Sequence, residues 1–254
     1  MTKINPKMIR DSLFLVFVCL CLGVTLYAVK VDTADDLINL FSNATGGVLK
    51  DDIELAADLD FSGYTLTLPL GAFPNGTCVA YSGVFQGNNF CIKGLKMNTN
   101  NEGYNHAGLF CELKDATVEN LVIDSSCSFT GNQSGGLSVT ASGSLNIRNV
   151  TNNASVNGLE FAGGFIAYME EREKETVQVS FSDCTNNVMI NGTDSAAGFI
   201  NHVERNSYMT ITFNSCNNSG IVQGNENSSG FIGRISGNDQ MTIAIIKCNN
   251  MQMQ

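Results

Sequence analysis

The stretches 179–186, 211–218 and 243–250 read VSFSDCTN, ITFNSCNN and IAIIKCNN, and they decide the fold. The cysteine at the sixth position of each stretch recurs every 32 residues. A fixed period of this length indicates a repeat architecture. Inside each stretch two apolar residues alternate with polar ones, which is typical of a strand with one buried face. The chain is therefore predicted to be an all-β solenoid.

The repeat extends towards the N-terminus in weaker form. Stretch 145–152 (LNIRNVTN) keeps the apolar and Asn positions, with Val150 in place of the cysteine. Stretches 116–121 and 90–95 keep only the apolar positions. A glycine followed by an apolar residue precedes the strands, and glycine suits such corners because it permits close backbone approach and positive φ. These landmark glycines are Gly108, Gly136, Gly164, Gly198 and Gly230.

Stacking of successive coils explains these columns. Neighbouring parallel strands lie about 4.8 Å apart, so equivalent residues lie above one another. The apolar positions predict an inward ladder of Ile147, Phe181, Phe213 and Ile245. The Asn positions predict a structural amide ladder of Asn152, Asn186, Asn218 and Asn250. Leucine-rich repeats are the closest rival fold, but they require a further apolar residue three positions earlier, where this chain has Ser, Thr, Tyr and Gln.

The cysteines give a mixed signal. Without Cys19 and Cys21 in the N-terminal segment, seven remain, so at least one is unpaired. We interpret the column Cys184, Cys216 and Cys248 as structural buried thiols that act as small hydrophobes. A pairing of Cys78 with Cys91 is a candidate disulfide.

The N-terminus resembles a targeting signal. Lys3, Lys7 and Arg10 precede an apolar run over 13–29. This pattern is typical of a signal peptide or an uncleaved signal anchor, either of which would place the rest of the chain outside the cytosol. We predict an extracellular or cell-surface location.

Three regions follow from these patterns. Residues 1–28 form the signal peptide or anchor, 29–80 an N-terminal cap with the first coils, and 81–254 the solenoid repeats. Thr33 to Asp36 is a capping box that predicts a short helix over 33–43, lying on the first coil. Early strands are predicted at 53–55, 59–63 and 65–68. The repeats have no C-terminal cap, so we expect either a fragment or self-association of the open end with another chain.

Composition limits the partners. The net charge is −10 and only 15% of residues are charged, which argues against nucleic acid as a partner because phosphate recognition needs clustered Lys and Arg. Any membrane contact would come from the N-terminal segment. N-x-S/T sequons predict permissive N-glycosylation sites at Asn43, Asn75, Asn132, Asn149, Asn153, Asn191, Asn217 and Asn227.

Segment 83–95 (GVFQGNNFCIKGL) resembles the opening of GLUG-motif surface proteins, and 107–121 resembles their repeat. The similarity covers about residues 31–250. It implies a right-handed parallel β-helix on a secreted or surface protein, often adhesin-like, broadly similar to polymorphic outer-membrane proteins or autotransporter passengers. The family's second glycine is kept only at Gly233. No catalytic residue carries over, because the resemblance defines a fold more than an activity.

Enzymatic β-helices need paired carboxylates or a calcium cluster on one face. The repeat columns hold Asn, Ser and Thr instead, and we interpret 51–52, Asp58 and Asp60 as solvated turn residues. His106 and His202 have no acidic partner at repeat spacing, so we interpret them as surface or loop histidines. We predict no catalytic residue, no metal site and no cofactor.

Binding remains as the function that the sequence favours. Variable loops on one face of a solenoid are the usual recognition surface. We predict an adhesin-like module that binds glycans or a host or matrix surface, with a polysaccharide lyase or glycosidase and an inert surface coat as alternatives. The predicted binding residues on this loop face are Glu170, Arg172, Lys174, Glu204 and Arg205.

Overall fold

A computed structural model describes residues 28–44, 47–99, 105–171, 176–205, 208–237 and 240–251, without the side chains of Glu171 and Arg205. The described chain is a β-solenoid of about six turns with one short helix, which confirms the predicted fold class. The repeated pairs of strands are parallel, and they form three sheets. The predicted segment 1–28 lies, apart from its last residue, outside the described residues.

Sheet A contains 13 strands within the described ranges. They are β1 (Val29–Val31), β3 (Ile53–Leu55), β4 (Leu59–Asp60), β6 (Val84–Gln86), β7 (Cys91–Lys93), β11 (Thr117–Ile123), β14 (Leu145–Asn152), β17 (Val177–Ser182), β18 (Thr185–Asn186), β22 (Met209–Asn214), β23 (Asn217–Asn218), β27 (Met241–Ile246) and β28 (Asn249–Asn250).

Sheets B and C contain seven and eight of the described strands. Sheet B consists of β2 (Val48–Leu49), β5 (Ala80–Tyr81), β10 (Phe110–Lys114), β13 (Ser138–Ser142), β16 (Ile166–Glu171), β21 (Ile200–Arg205) and β26 (Ile232–Gly237). Sheet C consists of β8 (Lys96–Asn98), β9 (His106–Ala107), β12 (Ser128–Gly135), β15 (Ser155–Gly163), β19 (Ile190–Gly192), β20 (Ser195–Ala197), β24 (Val222–Gln223) and β25 (Asn227–Ser229).

Helix α1 (Ala34–Ser42) covers the first coil. Thr33 accepts a hydrogen bond from the backbone N–H of Asp36, and the Asp36 carboxylate accepts from the Thr33 N–H, which is the predicted capping box. Leu37 and Phe41 are buried in the same core as the coils. The helix therefore closes one end of the apolar core.

Two stacked columns of aromatic rings fill the core. In one column Phe165 and Phe199 stack with centroids 4.7 Å apart, and in the other Phe181 and Phe213 stack at 5.2 Å. Rings of the two columns meet edge to face, with Phe199 and Phe213 5.4 Å apart. Such pairs add about 0.5–1.5 kcal/mol each beyond their burial.

The predicted inward ladder is buried except at its last member. Ile147, Phe181 and Phe213 are fully buried, whereas Ile245 is 54% exposed in the last described coil. The predicted self-association through that end stays a prediction.

A chain of buried amides links successive coils. The Asn152 Nδ2 donates to Asn186 Oδ1 at 3.1 Å, Asn186 Nδ2 to Asn218 Oδ1 at 2.8 Å, and Asn218 Nδ2 to Asn250 Oδ1 at 2.9 Å. Asn152, Asn186 and Asn218 are fully buried. Their amides also satisfy turn backbone, since Asn152 Nδ2 donates to the Gly164 carbonyl at 2.9 Å. Each buried amide thus fixes the register of one coil on the next.

Four of the five landmark glycines lie against this amide chain, namely Gly136, Gly164, Gly198 and Gly230. A Cβ on Gly198 would come within 3.0 Å of both the Gly230 carbonyl oxygen and the Asn218 side chain, and a Cβ on Gly164 would meet the Gly198 carbonyl and Asn186 in the same way. None of these glycines has a positive φ. The glycine column is therefore required by close approach and not by a left-handed backbone.

A second column consists of residues with positive φ at the bend within sheet A. Asn120, Asn149, Asp183, Ser215 and Lys247 all have φ between 50° and 55°, a region that residues other than glycine rarely adopt. They lie at the bend between the two arms of sheet A. The earlier members bond one another, with Asn149 Nδ2 donating to Asn120 Oδ1 at 2.8 Å.

Two local predictions are wrong. Segment 65–68 forms no strand, and Leu70 instead makes an isolated bridge to Phe110. Cys78 bonds Cys111 and not Cys91. Cys111 lies on β10 of sheet B, and Cys78 lies two residues before β5, whose Ala80 is in register with Glu112 of β10, while Cys91 lies in sheet A.

We expect Gly198→Ala to destabilise the protein by about 1–3 kcal/mol or more, because the new Cβ must displace backbone and the Asn218 amide. Gly63→Ala is the matched control: its Cβ would meet nothing within 4 Å. The control is expected to be neutral or to stabilise by about 0.4–1 kcal/mol through the unfolded chain. Urea denaturation measures both. Equal free energies of unfolding for the two variants would contradict the close-approach explanation.

Candidate functional site

A groove lies at the corner where sheet B turns into sheet A. It has a volume of about 540 Å³ and is open to solvent. The turns that follow β10 and β13 form one wall, and the first residues of β11, β14 and β17 form the other. Most of its lining side chains carry hydroxyl, amide or carboxylate groups, and the lining residues are Asp115, Ala116, Thr117, Ser144, Leu145, Asn146, Thr176, Gln178 and Ser180. We call it the corner groove.

Hydrogen bonds between coils hold the wall of the corner groove in place. The Ser144 N–H donates to Asp115 Oδ1 at 2.9 Å, and the Gln178 N–H donates to Ser144 Oγ at 3.1 Å. Position 143 requires a glycine, because its φ is +66° and a Cβ there would clash with the Asp115 carboxylate. Two successive turns and the first residues of β17 are thereby linked, so the groove is preformed.

The predicted loop-face residues are only partly brought together. Glu170 and Glu204 are in register on β16 and β21, and both are half-buried. The Glu204 carboxylate accepts a hydrogen bond from the Tyr168 hydroxyl. Arg172 and Lys174 lie outside the described residues. Arg205 ends β21, and its side chain is not described.

An aromatic cluster adjoins this loop face where β15 of sheet C meets β16 and β21 of sheet B. The Phe161 and Tyr168 rings are parallel, with centroids 6.2 Å apart, and His202 meets both edge on at 5.2 and 5.1 Å. The His202 Nε2 hydrogen-bonds Ser236 Oγ at 2.8 Å. Its Nδ1 is buried and has no hydrogen-bond partner among the described residues. We call Phe161, Tyr168 and His202 the aromatic–histidine cluster.

The prediction of two surface histidines is wrong for His202, which is 7% exposed. His106 in β9 is half-buried. Burial lowers the pKa of both imidazoles, and the Arg234 guanidinium lowers the pKa of His202 further. The sequence did indicate that His202 shares a column with Tyr168 and Arg234. Each of the three residues follows a landmark glycine by four positions, and they are in register.

The predicted cysteine column occupies the bend of sheet A. Cys184 and Cys216 are buried free thiols, and Cys248 is a half-buried one. The Cys184 thiol donates to the Ile147 carbonyl at 3.4 Å, and burial raises its pKa, which keeps the thiol protonated. The column contacts core residues and lies away from the corner groove.

Several other predicted residues are exposed. Of the sequon asparagines, Asn43, Asn75, Asn149 and Asn191 are exposed, and Asn132, Asn153, Asn217 and Asn227 are half-buried. Their glycosylation stays a prediction. Asp58 is an exposed carboxylate whose pKa is lowered by the Lys93 ammonium, 2.5 Å away, and by the Cys91 N–H.

Two further observations concern the described residues alone. No group of three or more His, Cys, Asp or Glu side chains in these ranges is arranged to hold a metal ion. The same ranges include no helix that is long and apolar enough to cross a membrane.

A solved structure described as "a putative immunoglobulin A1 protease from Bacteroides ovatus" resembles this fold. It has 14% sequence identity and a TM-score of 0.51, over 88% of this chain and 75% of that one. Similarity at this level shows the fold alone. No protein-family model and no curated protein sequence matches the chain.

The two histidines predict a pH dependence of stability. Their folded pKa values lie below the ordinary value of about 6.5. Above pH 6.5 both states are neutral and the full stability is present. Below pH 6.5 the two histidines bind protons in the unfolded chain that they do not bind in the folded chain. The free energy of unfolding therefore falls as the pH drops. Denaturant titrations between pH 7.5 and 5 would measure this slope.

The control for this prediction is the double variant His106→Gln/His202→Phe. Its free energy of unfolding should depend less on pH between pH 6.5 and 5. Carboxylates with lowered pKa values, such as Asp58, act only below about pH 4 and leave this window clear. A stability that rises on acidification in the unsubstituted protein would contradict the buried, neutral state of His202.

Proposed function

We propose that this protein is a secreted or cell-surface β-solenoid that binds glycans or a host or matrix surface in an adhesin-like manner. The observation that carries the proposal is the corner groove. Its open shape and its lining of hydroxyl, amide and carboxylate groups suit a polar ligand that presents many hydroxyls. The loop face with Glu170 and Glu204 flanks the same end of sheet B and adds charge to the rim. The GLUG-type resemblance supports this class of function.

The disulfide supports the proposed location. Disulfides such as Cys78–Cys111 form and persist mainly in oxidising compartments, including the cell exterior. It joins adjacent coils beside the N-terminal cap, where the regular ladder of sheet B begins. The low charge content and the exposed sequons are compatible with the same compartment.

A polysaccharide-active enzyme is the second candidate. The observation in its favour is that Glu170 and Glu204 lie on adjacent strands in register, which places two carboxyl groups on one face. Glycoside hydrolysis uses such a pair, one as acid and one as base or nucleophile. The resembling structure is described as a protease, but this likeness extends to the fold alone.

The test is retention of the protein on immobilised glycans and matrix proteins. Binding is expected for the unsubstituted protein, with at least a tenfold loss in Asn146→Ala/Gln178→Ala, because two lining amides would be removed. The matched control Asn157→Ala/Gln223→Ala changes two amides on sheet C and should bind normally. Thermal unfolding of all three proteins checks that folding is unchanged.

Mass spectrometry of the retained glycans separates the candidates. Intact ligand with groove-dependent retention supports the binding module. Cleaved product, abolished by Glu170→Gln or Glu204→Gln, would favour the enzyme. No retention on any surface would contradict both and favour an inert surface coat.

A further inference from the structure

Uncharged polar side chains form a regular column on the outer face of sheet A. Thr117, Asn146, Ser180 and Thr212 occupy equivalent positions on β11, β14, β17 and β22. All four are exposed or half-buried, while the residues that follow them in sequence are buried. Coils are about 4.8 Å apart, so the column places one polar group per coil over about 14 Å. We call these four residues the polar column.

The side chains of the polar column are available to a ligand. None of their hydroxyl or side-chain amide groups makes a hydrogen bond within the described parts of the chain, although the backbone N–H groups of Thr117 and Asn146 donate to the carbonyls of Gly83 and Ala116. A neighbouring column differs, because Glu119 accepts from Gln86 and pairs with Arg148. Hydroxyl and amide groups of the polar column therefore face solvent with their hydrogen-bonding capacity unused.

The polar column continues directly from the corner groove. Thr117, Asn146 and Ser180 line the groove, and Thr212 lies one coil beyond it. A second column, Gln178, Thr210 and Thr242, runs parallel to it and is equally uncharged. The groove thus opens onto a strip that repeats the same chemistry from coil to coil.

We infer that the ligand is an unbranched, neutral polysaccharide that lies along the solenoid axis. This inference rests on the proposed function and specifies its ligand class. A surface that repeats at a fixed spacing matches a ligand that also repeats, and sugar hydroxyls both donate to and accept from Thr, Ser and Asn. The absence of charge in the polar column and the net charge of −10 both disfavour an acidic polymer.

Sheet C offers a built-in comparison. Thr130, Asn157, Asn191 and Gln223 form a similar uncharged column there. The corner groove is lined by members of the sheet A column, whereas the exposed apolar side chains of Leu159 and Met189 lie near the sheet C column. Asn191 also lies in a sequon. We therefore assign the ligand to sheet A.

The experiment measures affinity of the full chain for unbranched neutral glucose oligosaccharides of one to eight units. Affinity should rise at least tenfold between the monosaccharide and the tetrasaccharide and then level off, because the polar column of about 14 Å is then filled. Thr212→Val should weaken only the longer oligosaccharides, by about 2- to 13-fold for one lost hydrogen bond. Thr117→Val should weaken short and long ones alike, and the matched control Thr130→Val on sheet C should change nothing.

The outcomes separate this inference from the proposed function. Groove-dependent binding of matrix proteins, branched glycans or galacturonate oligomers, without a dependence on chain length for the neutral series, would leave the proposed function standing and overturn the inference. Binding of the neutral series that is lost in Thr130→Val and kept in Thr212→Val would also overturn it. No binding on any probe would overturn both.

Discussion

The close contact between a buried asparagine and a bare glycine is the constraint on which the rest of the structure depends. In each of the later coils the asparagine amide bonds the amide of the next coil and packs against a glycine that has no room for a Cβ. A buried amide without partners costs about 1–3 kcal/mol, so a coil that slips by one residue loses this bond and turns its apolar side chains to the solvent face. The contact therefore selects one register.

That register aligns every other column. Inward positions become two interlocked stacks of phenylalanine rings, such as Phe199 on Phe165 and Phe213 on Phe181. Outward positions become strips of like side chains, including the polar column on sheet A. Because the turns between sheets B and A are not part of these columns, they are free to vary, and two consecutive turns build the wall of the corner groove. A regular interior thus supports a surface that is regular on the sheets and variable at one corner.

The regular part of this structure could be predicted from the sequence, because the residues that stack on one another recur at a nearly fixed spacing along the chain. The 32-residue step, the Asn column and the landmark glycines together specify parallel coils. The capping box likewise specifies helix α1. The reason for the glycine column could not be predicted, because close approach and positive φ both favour glycine, and only the structure distinguishes them.

Features that depend on angular position around the coil were harder to predict. The Cys78–Cys111 pair requires knowing that Cys78 lies just before β5, which pairs with the strand β10 that contains Cys111, and sequence distance alone favoured Cys91. His202 looked exposed because it packs against Phe161, which belongs to a different sheet, as well as against Tyr168 on the adjacent strand. At the bend of sheet A, Ser215 and Lys247 adopt positive φ although their residue types do not suggest it.

The distance between spin labels at Val84 and Ala244 tests the stacking most directly. The two residues occupy equivalent positions on β6 and β27 of sheet A, five coils apart through Thr117, Asn146, Ser180 and Thr212. Labels attached through a noncanonical ketone side chain would leave the native thiols untouched. In-register stacking predicts one narrow distribution centred at about 24 Å between the backbones. A broad distribution, or a centre beyond about 35 Å, would contradict the parallel in-register coils.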